Sequence, residues 1–339
     1  MPDSFRSPGI ARAAALALSG AAACVLGFVA VAVAAYSVGP VGRRDAAALA
    51  GLFGVENARV DLLAETLSHS ADLLPWLAAL AILGWAGARW GRARIALAGG
   101  VAAVLAVVAS QVLKALLAHP RVQPVLGGNQ VGPAALPSGH TTSSMSIAVM
   151  AVLVAPRGLR LFAVGLGGVY AWAVGVSLAV LAWHFPSDIF AGMLLAAGFG
   201  FLALLAEGIA VGVRSGELRV GSPGSWLERT ADGWAAFGER DIRTDAGVAG
   251  SAERAEPGTI GSGARVMRVM LAAVALAGAA AFTVSVAGGT ERAGRALSYA
   301  DANTSAAGAA LFAGALAFTL LAALALVAAR SERPATRDR

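Results

Sequence analysis

The chain has 339 residues, of which 58% are hydrophobic and only 14% charged, and its formal net charge is +6. Soluble domains carry roughly 25% charged residues, so this composition excludes an ordinary globular enzyme and makes lipid the main solvent. The arginines sit in short clusters between apolar runs, with no basic stripe interleaved with aromatics, which argues against nucleic acid as a partner.

In chain order, the first apolar run, 13–36, follows Arg6 and Arg12. It is longer than the roughly 7–15 residues of a signal-peptide core, which favours a retained anchor over a cleaved signal. Cys24, the only cysteine, lies inside it, so neither an intramolecular disulfide nor a thiolate metal cluster can form. Residues 37–70 have partial helical periodicity and predict a short helix on the outer surface, a candidate lid. Apolar runs at 71–88, 95–117, 139–155, 160–183 and 187–212 predict five further spans, the one at 139–155 short and opening on a polar motif. Residues 213–266 are nearly charge-balanced; Trp226, Trp234 and Phe237 there suit either an interfacial helix or a linker. Runs at 267–287 and 305–329 bring the predicted spans to eight.

The fold class expected is therefore an all-α polytopic membrane bundle. Its parts are a six-span core over 1–212 with the outer segment 37–70, a cytoplasmic loop over 213–266, a C-terminal two-span pair over 267–329 and a tail over 330–339. Basic residues set the orientation. With a cytoplasmic N-terminus, the outer side keeps only Arg43, Arg44, Arg59, Lys114, Arg121, Arg292 and Arg295 of the 26 basic residues. Both termini are then cytoplasmic. Lys114 is the one lysine among them, in a composition that otherwise favours arginine.

Three polar clusters interrupt the apolar pattern, and this topology puts all three on the outer side. Ionisable residues at membrane depth are costly and usually functional. Lys114 and Arg121 can converge on one anion, the ammonium as a point charge and the guanidinium as a fork, or can snorkel to the headgroups. Pro137-Ser138-Gly139-His140 reads as a helix start whose free amides face an anion, with Gly139 permitting close approach and His140 able to donate a proton. In His184-Phe185-Pro186-Ser187-Asp188, a carboxylate four residues from a histidine can fix its tautomer and leave the other nitrogen as nucleophile. Together these supply the parts for phosphoryl transfer through a covalent intermediate. Zinc held by His119, His140, His184 and Asp188 is a weaker alternative, because His119 sits among cations suited to phosphate.

In these clusters the chain resembles the type 2 phosphatidic acid phosphatase (lipid phosphate phosphatase) superfamily. That pattern is K-x6-R-P, then P-S-G-H, then S-R-x5-H-x3-D. The sequence reads Lys114-x6-Arg121-Val122, Pro137-Ser138-Gly139-His140, and Ser177-Leu178-x5-His184-x3-Asp188, in order and in register over about 60–212. The resemblance implies His184 as nucleophile, Asp188 as its orienting partner and His140 as the acid. Lys114, Arg121, Ser138 and the Gly139 amide would hold the phosphoryl oxygens, with no metal and no cofactor. It implies a membrane phosphatase acting on a lipid phosphomonoester or polyprenyl diphosphate at the extracytoplasmic face of the plasma membrane. Oligomeric state is not implied. Two positions depart from the pattern: Val122 replaces a proline, and Leu178 replaces an arginine that would help neutralise the phosphoryl group. Another outer arginine could substitute. Otherwise the chain is a lipid-phosphate binder or transporter without turnover, or a transferase using the same histidine.

Overall fold

The computed structural model describes residues 8–55, 58–124, 126, 131–214 and 298–332, with side chains from Arg12 onward. Its elements are α1 (Pro8–Ser37), α2 (Gly39–Phe53), α3 (Ala58–His69), α4 (Leu73–Arg89), α5 (Ala93–Leu116), α6 (Gly139–Val154), α7 (Arg160–Val180), α8 (Pro186–Arg214) and α9 (Thr304–Ser331). Among the described residues there are no strands. Helices α1, α5, α7, α8 and α9 are long and apolar enough to cross a membrane. α3 and α4 together form a sixth candidate, broken by a 59° bend. The protein is thus a polytopic helical membrane bundle, as the hydropathy predicts. The expected span at 267–287 lies outside the described residues.

α8 is the central helix. It packs on α1, α5, α6 and α9, while α1 keeps most of its surface turned outward. Lipid gives helices little hydrophobic reason to associate, so close contact depends on small residues. A Cβ on Gly20 would come within 2.7 Å of the Phe201 ring, and one on Gly167 within 2.9 Å of Ala148 Cβ. Gly168 likewise leaves room for Phe318, which seats α9 on α7, and Trp172 donates from Nε1 to the Ala310 carbonyl across the same seam at 2.9 Å.

The predicted surface helix over 37–70 is two helices. α2 carries Pro40 in its first turn and is capped by Gly54, whose N–H bonds back to the Ala50 carbonyl. α2 packs on α9, where the Tyr299 hydroxyl donates to the Gly51 carbonyl. α3 packs on α7, with Ser68 Oγ 3.2 Å from Ser177 Oγ and Ser70 Oγ 3.1 Å from the Tyr170 hydroxyl.

The ends of the bundle differ in chemistry. At one end Glu332, just past α9, gathers three arginines. Arg92 Nη1 stands 2.6 Å from its carboxylate and Arg157 Nε 2.9 Å away, and Arg160 Nη2 pairs with it too. Arg92 and Arg157 lie in the α4–α5 and α6–α7 connections and Arg160 opens α7, so one carboxylate ties all three to the end of α9. At the other end the three motifs meet.

Candidate active site

α5 delivers the first cation. It ends at Leu116 with Lys114 in its last turn, a favourable place for a positive charge. Among the described residues between Leu117 and Ser138 there is no further helix or strand. The two ends of this connection are fastened to each other, the His119 N–H to the Pro133 carbonyl at 3.1 Å and Gln123 to the Val131 main chain. His119 packs edge-on against Tyr36, with ring centroids 5.4 Å apart.

α6 begins at the second motif. Ser138 is its N-cap, with extended backbone, and its Oγ accepts from the Thr141 N–H at 3.3 Å and from Thr141 Oγ1 at 3.1 Å. The Ser138 N–H donates to the Asp188 carbonyl at 3.0 Å, which locks the start of α6 to the start of α8. The first intrahelical bond runs from the Thr142 N–H to the Ser138 carbonyl at 3.0 Å, so the Gly139 and His140 amides precede the ladder, at the positive end of the helix dipole. A Cβ on Gly139 would lie 3.0 Å from Gln111 Nε2 and 3.5 Å from Lys114 Nζ. The lysine ammonium therefore stands against the bare α-carbon at the mouth of α6. The polar run Thr141–Ser146 is buried yet satisfied: Thr142, Ser144 and Ser146 return their hydroxyls to carbonyls three or four residues back.

The third motif is built by a sharp helix ending. Ala182, at φ 54°, closes α7. The Ala182 N–H bonds to the Ala179 carbonyl at 3.1 Å and the Trp183 N–H to the Leu178 carbonyl at 2.9 Å, the paired bonds of a Schellman cap. His184 follows directly, 8% exposed, and α8 starts at Pro186. Asp188, fully buried, divides its two oxygens. Oδ1 accepts from Arg121 Nη2 at 2.5 Å; Oδ2 accepts from the Phe185 N–H at 3.0 Å and lies 3.4 Å from His184 Nδ1. A carboxylate only accepts, so we assign the proton of His184 to Nδ1 and the free lone pair to Nε2.

Gly192, one turn along α8, sets the spacing. A Cβ there would fall 2.8 Å from the Ser138 carbonyl oxygen, 3.1 Å from Thr141 Cβ and 3.2 Å from the Thr142 nitrogen. Two of these are main-chain atoms, so no rotamer change relieves the clash. Gly192→Ala is expected to lower stability by about 1–3 kcal/mol and to separate Ser138 from Asp188. Thermal unfolding in detergent, read beside activity, checks this: both should fall.

Arg121 differs from the expectation of an open fork. Beside Asp188, its Nη1 donates to Ser187 Oγ at 2.8 Å and lies 3.4 Å from Asp45 Oδ2. The guanidinium lies over the Phe185 ring, 4.0 Å from the centroid. Its side chain is 7% exposed. In this state it is held by carboxylates.

Asp45, on α2, receives the Ser187 N–H at 3.1 Å and its hydroxyl at 2.6 Å. Burial pushes the Asp45 carboxyl up to about 6, against the lowering effect of the Ser187 bonds and Arg121. A carboxyl raised in the fold adds stability that is complete below its ordinary value near 3.8 and is lost as pH rises through about 6. Asp45→Asn cannot ionise. Its melting temperature relative to the natural chain should therefore rise as pH climbs from 5 to 7. Parallel melting curves would contradict the raised value.

The other end of the site was not foreseen. Asp72 sits in the bend between α3 and α4 and bonds two imidazoles: His140 Nε2 at 2.9 Å from Oδ1 and His69 Nδ1 at 2.9 Å from Oδ2. Trp183 stands beside both rings, its centroid 5.8 Å from His140 and 6.0 Å from His69. His69 and Asp72 left one trace in the sequence, a polar pair three residues apart where the outer segment meets an apolar run. Asp45 left none beyond a lone carboxylate after Arg43-Arg44.

Leu178 is fully buried with Ala71, Val174 and Tyr170. The place of the pattern's arginine is thus a small apolar cluster. Of the suggested substitute cations, Arg43 turns back on its own helix, with Nη1 3.4 Å from where a Cβ of Gly39 would be; Arg292 and Arg295 lie outside the described residues. Among the described residues no three His, Cys, Asp or Glu side chains are grouped to hold a metal ion.

The structure thus brings Lys114, Ser138, Gly139, His140, His184 and Asp188 to one end of the bundle, with Arg121 beside them on the carboxylates. Residues 95–208 match the family model described as the PAP2 superfamily. The match spans α5, α6, α7 and most of α8, and leaves out α2 with Asp45 and the α3–α4 bend with Asp72. No curated protein and no solved structure matches the chain.

Proposed function

With residues 95–208 a member of the PAP2 superfamily, which implies phosphatase-type action on phosphoesters, we propose that this chain hydrolyses a lipid phosphomonoester or a polyprenyl diphosphate through a phosphohistidine at His184. The observation that carries the reading is Asp188, whose carboxylate bonds toward His184 Nδ1 and leaves Nε2 free while its carbonyl accepts the Ser138 N–H at the start of α6. Lys114 and the Gly139 and His140 amides would hold the phosphoryl oxygens, with Ser138 shaping the helix start and its hydroxyl proton still available to donate. His184 Nε2 attacks phosphorus as the bond to the leaving oxygen breaks, and His140 gives that oxygen a proton. Water then attacks the phosphohistidine, returns a proton to His140 and releases phosphate. The scheme calls for neither metal nor cofactor.

Arg121 enters the cradle by exchanging a carboxylate for the phosphate. In this reading the site lies at the extracytoplasmic face of the plasma membrane with both termini cytoplasmic, as the arginine bias suggests. Residues 1–212 carry the catalysis; residues 215–297, which hold most of the expected cytoplasmic loop and the first span of the expected C-terminal pair, lie outside the described residues.

A second reading, a lipid-phosphate binder without turnover, draws on Leu178 and on the paired state of Arg121. Purified protein in detergent, given phosphatidic acid and prenyl diphosphates with EDTA present, separates the two. The phosphatase reading expects phosphate release that survives the chelator. Binding without release on every lipid would favour the binder.

A further inference from the structure

Asp72 lies outside all three motifs and outside residues 95–208, yet its carboxylate joins two imidazoles. It occupies the N-cap position of α4 with extended backbone, where an aspartate ordinarily accepts an amide of the first turn. Here it makes no such bond. α4 forgoes its side-chain cap, and both carboxylate oxygens turn to histidines instead. His69 on Oδ2 keeps the carboxylate from swinging back to cap the helix or out to solvent. The 59° break between α3 and α4 sets this corner against His140, and Trp183 packs beside both rings.

We propose that Asp72 is the positioning residue for the acid: by accepting the Nε2 proton of His140 it makes Nδ1 the atom that protonates the leaving group. The inference rests on the phosphatase reading. A carboxylate accepts only, so His140 Nε2 must carry a proton, and the proton in flight sits on Nδ1. The two histidines are then held in opposite senses. His184 faces its aspartate with Nδ1 and works with Nε2; His140 faces its aspartate with Nε2 and works with Nδ1. As the phosphorus–oxygen bond breaks, the Nδ1 proton passes to the leaving oxygen and His140 becomes neutral, keeping its Nε2 proton on Asp72. The attacking water later returns a proton to Nδ1. Opposed environments for two like groups separate their roles.

The test uses substrates that differ in their need for an acid. Phosphatidic acid loses diacylglycerol, a basic alkoxide unless protonated; p-nitrophenyl phosphate loses p-nitrophenolate, which is stable without a proton. In Asp72→Asn, kcat for phosphatidic acid is expected to fall about 10²-fold, with KM little changed and only a few-fold loss on p-nitrophenyl phosphate. Asp72→Glu should recover part of the loss, and His69→Ala should show a weaker version of the same split. The Asp72 side chain is 44% exposed, so these variants are expected to melt near the natural chain. Equal losses on both substrates in a folded variant, or no loss on either, overturn the inference while leaving the phosphatase reading intact. If Asp72→Asn does not fold, the split in Asp72→Glu and His69→Ala decides in the same way. A natural chain inert on both substrates overturns the phosphatase reading, and this inference with it.

Discussion

Replacing His184 by alanine is expected to reduce phosphate release to background, a loss of roughly 10⁴-fold or more. The size follows from the two-step route. Without Nε2 no nitrogen–phosphorus bond forms, and water must attack the ester directly in a site not arranged for it. The residual rate is what the helix start and Lys114 supply by binding alone. Folding should be spared: the His184 ring is an accessory partner of Asp188, whose firmer bonds go to Arg121 and the Phe185 N–H. The variant should therefore melt close to the natural chain and still bind lipid phosphate, which separates a missing nucleophile from a collapsed site.

Asp188→Asn is expected to do the second-largest damage, and of a different kind. An asparagine amide cannot serve both neighbours. If its oxygen faces His184, its NH2 confronts Arg121; if it turns round, it presents a donor to His184 Nδ1 and forces the wrong tautomer. Turnover should drop about 10³–10⁴-fold on tautomer grounds. Stability should drop too, because Arg121 is 7% exposed and loses its 2.5 Å partner. Breaking a buried pair from one side costs roughly 3–5 kcal/mol, and Asp45 remains to offset part of it. Activity assays beside melting curves would read both losses. A variant that melts like the natural chain would mean that Asp45 alone suffices for Arg121.

Much of this architecture was legible in the sequence because the bilayer restricts the choices. Apolar runs of span length had to be helices, and the described helices begin and end near the predicted limits. The motif at Ser138 marked its helix start by ordinary capping chemistry, which the Ser138–Thr141 bond satisfies. The splitting of 37–70 was less visible. Gly54 ends α2, but a single glycine in a weakly periodic stretch does not say whether a helix stops or merely weakens. The paired state of Arg121 was hidden for another reason. Spacing from Lys114 places a cation near an anion site, but one of the two carboxylates that hold it, Asp45, comes from a helix far back in the chain. Asp72 was concealed in the same way, its meaning depending on a bend that brings it to His140. Long-range electrostatic pairing of this kind has no local pattern to read.

The account stands on a covalent phosphoryl group at His184. The direct measurement is to mix purified protein with phosphatidic acid labelled in its phosphate, quench within the first turnovers under alkaline denaturing conditions, and locate the label by peptide mapping. The account predicts label on the peptide containing His184, lost in acid and stable in base as a phosphoramidate should be, and absent from His184→Ala. Turnover with no labelled protein at any quench time, or label on another residue that survives in His184→Ala, would contradict it.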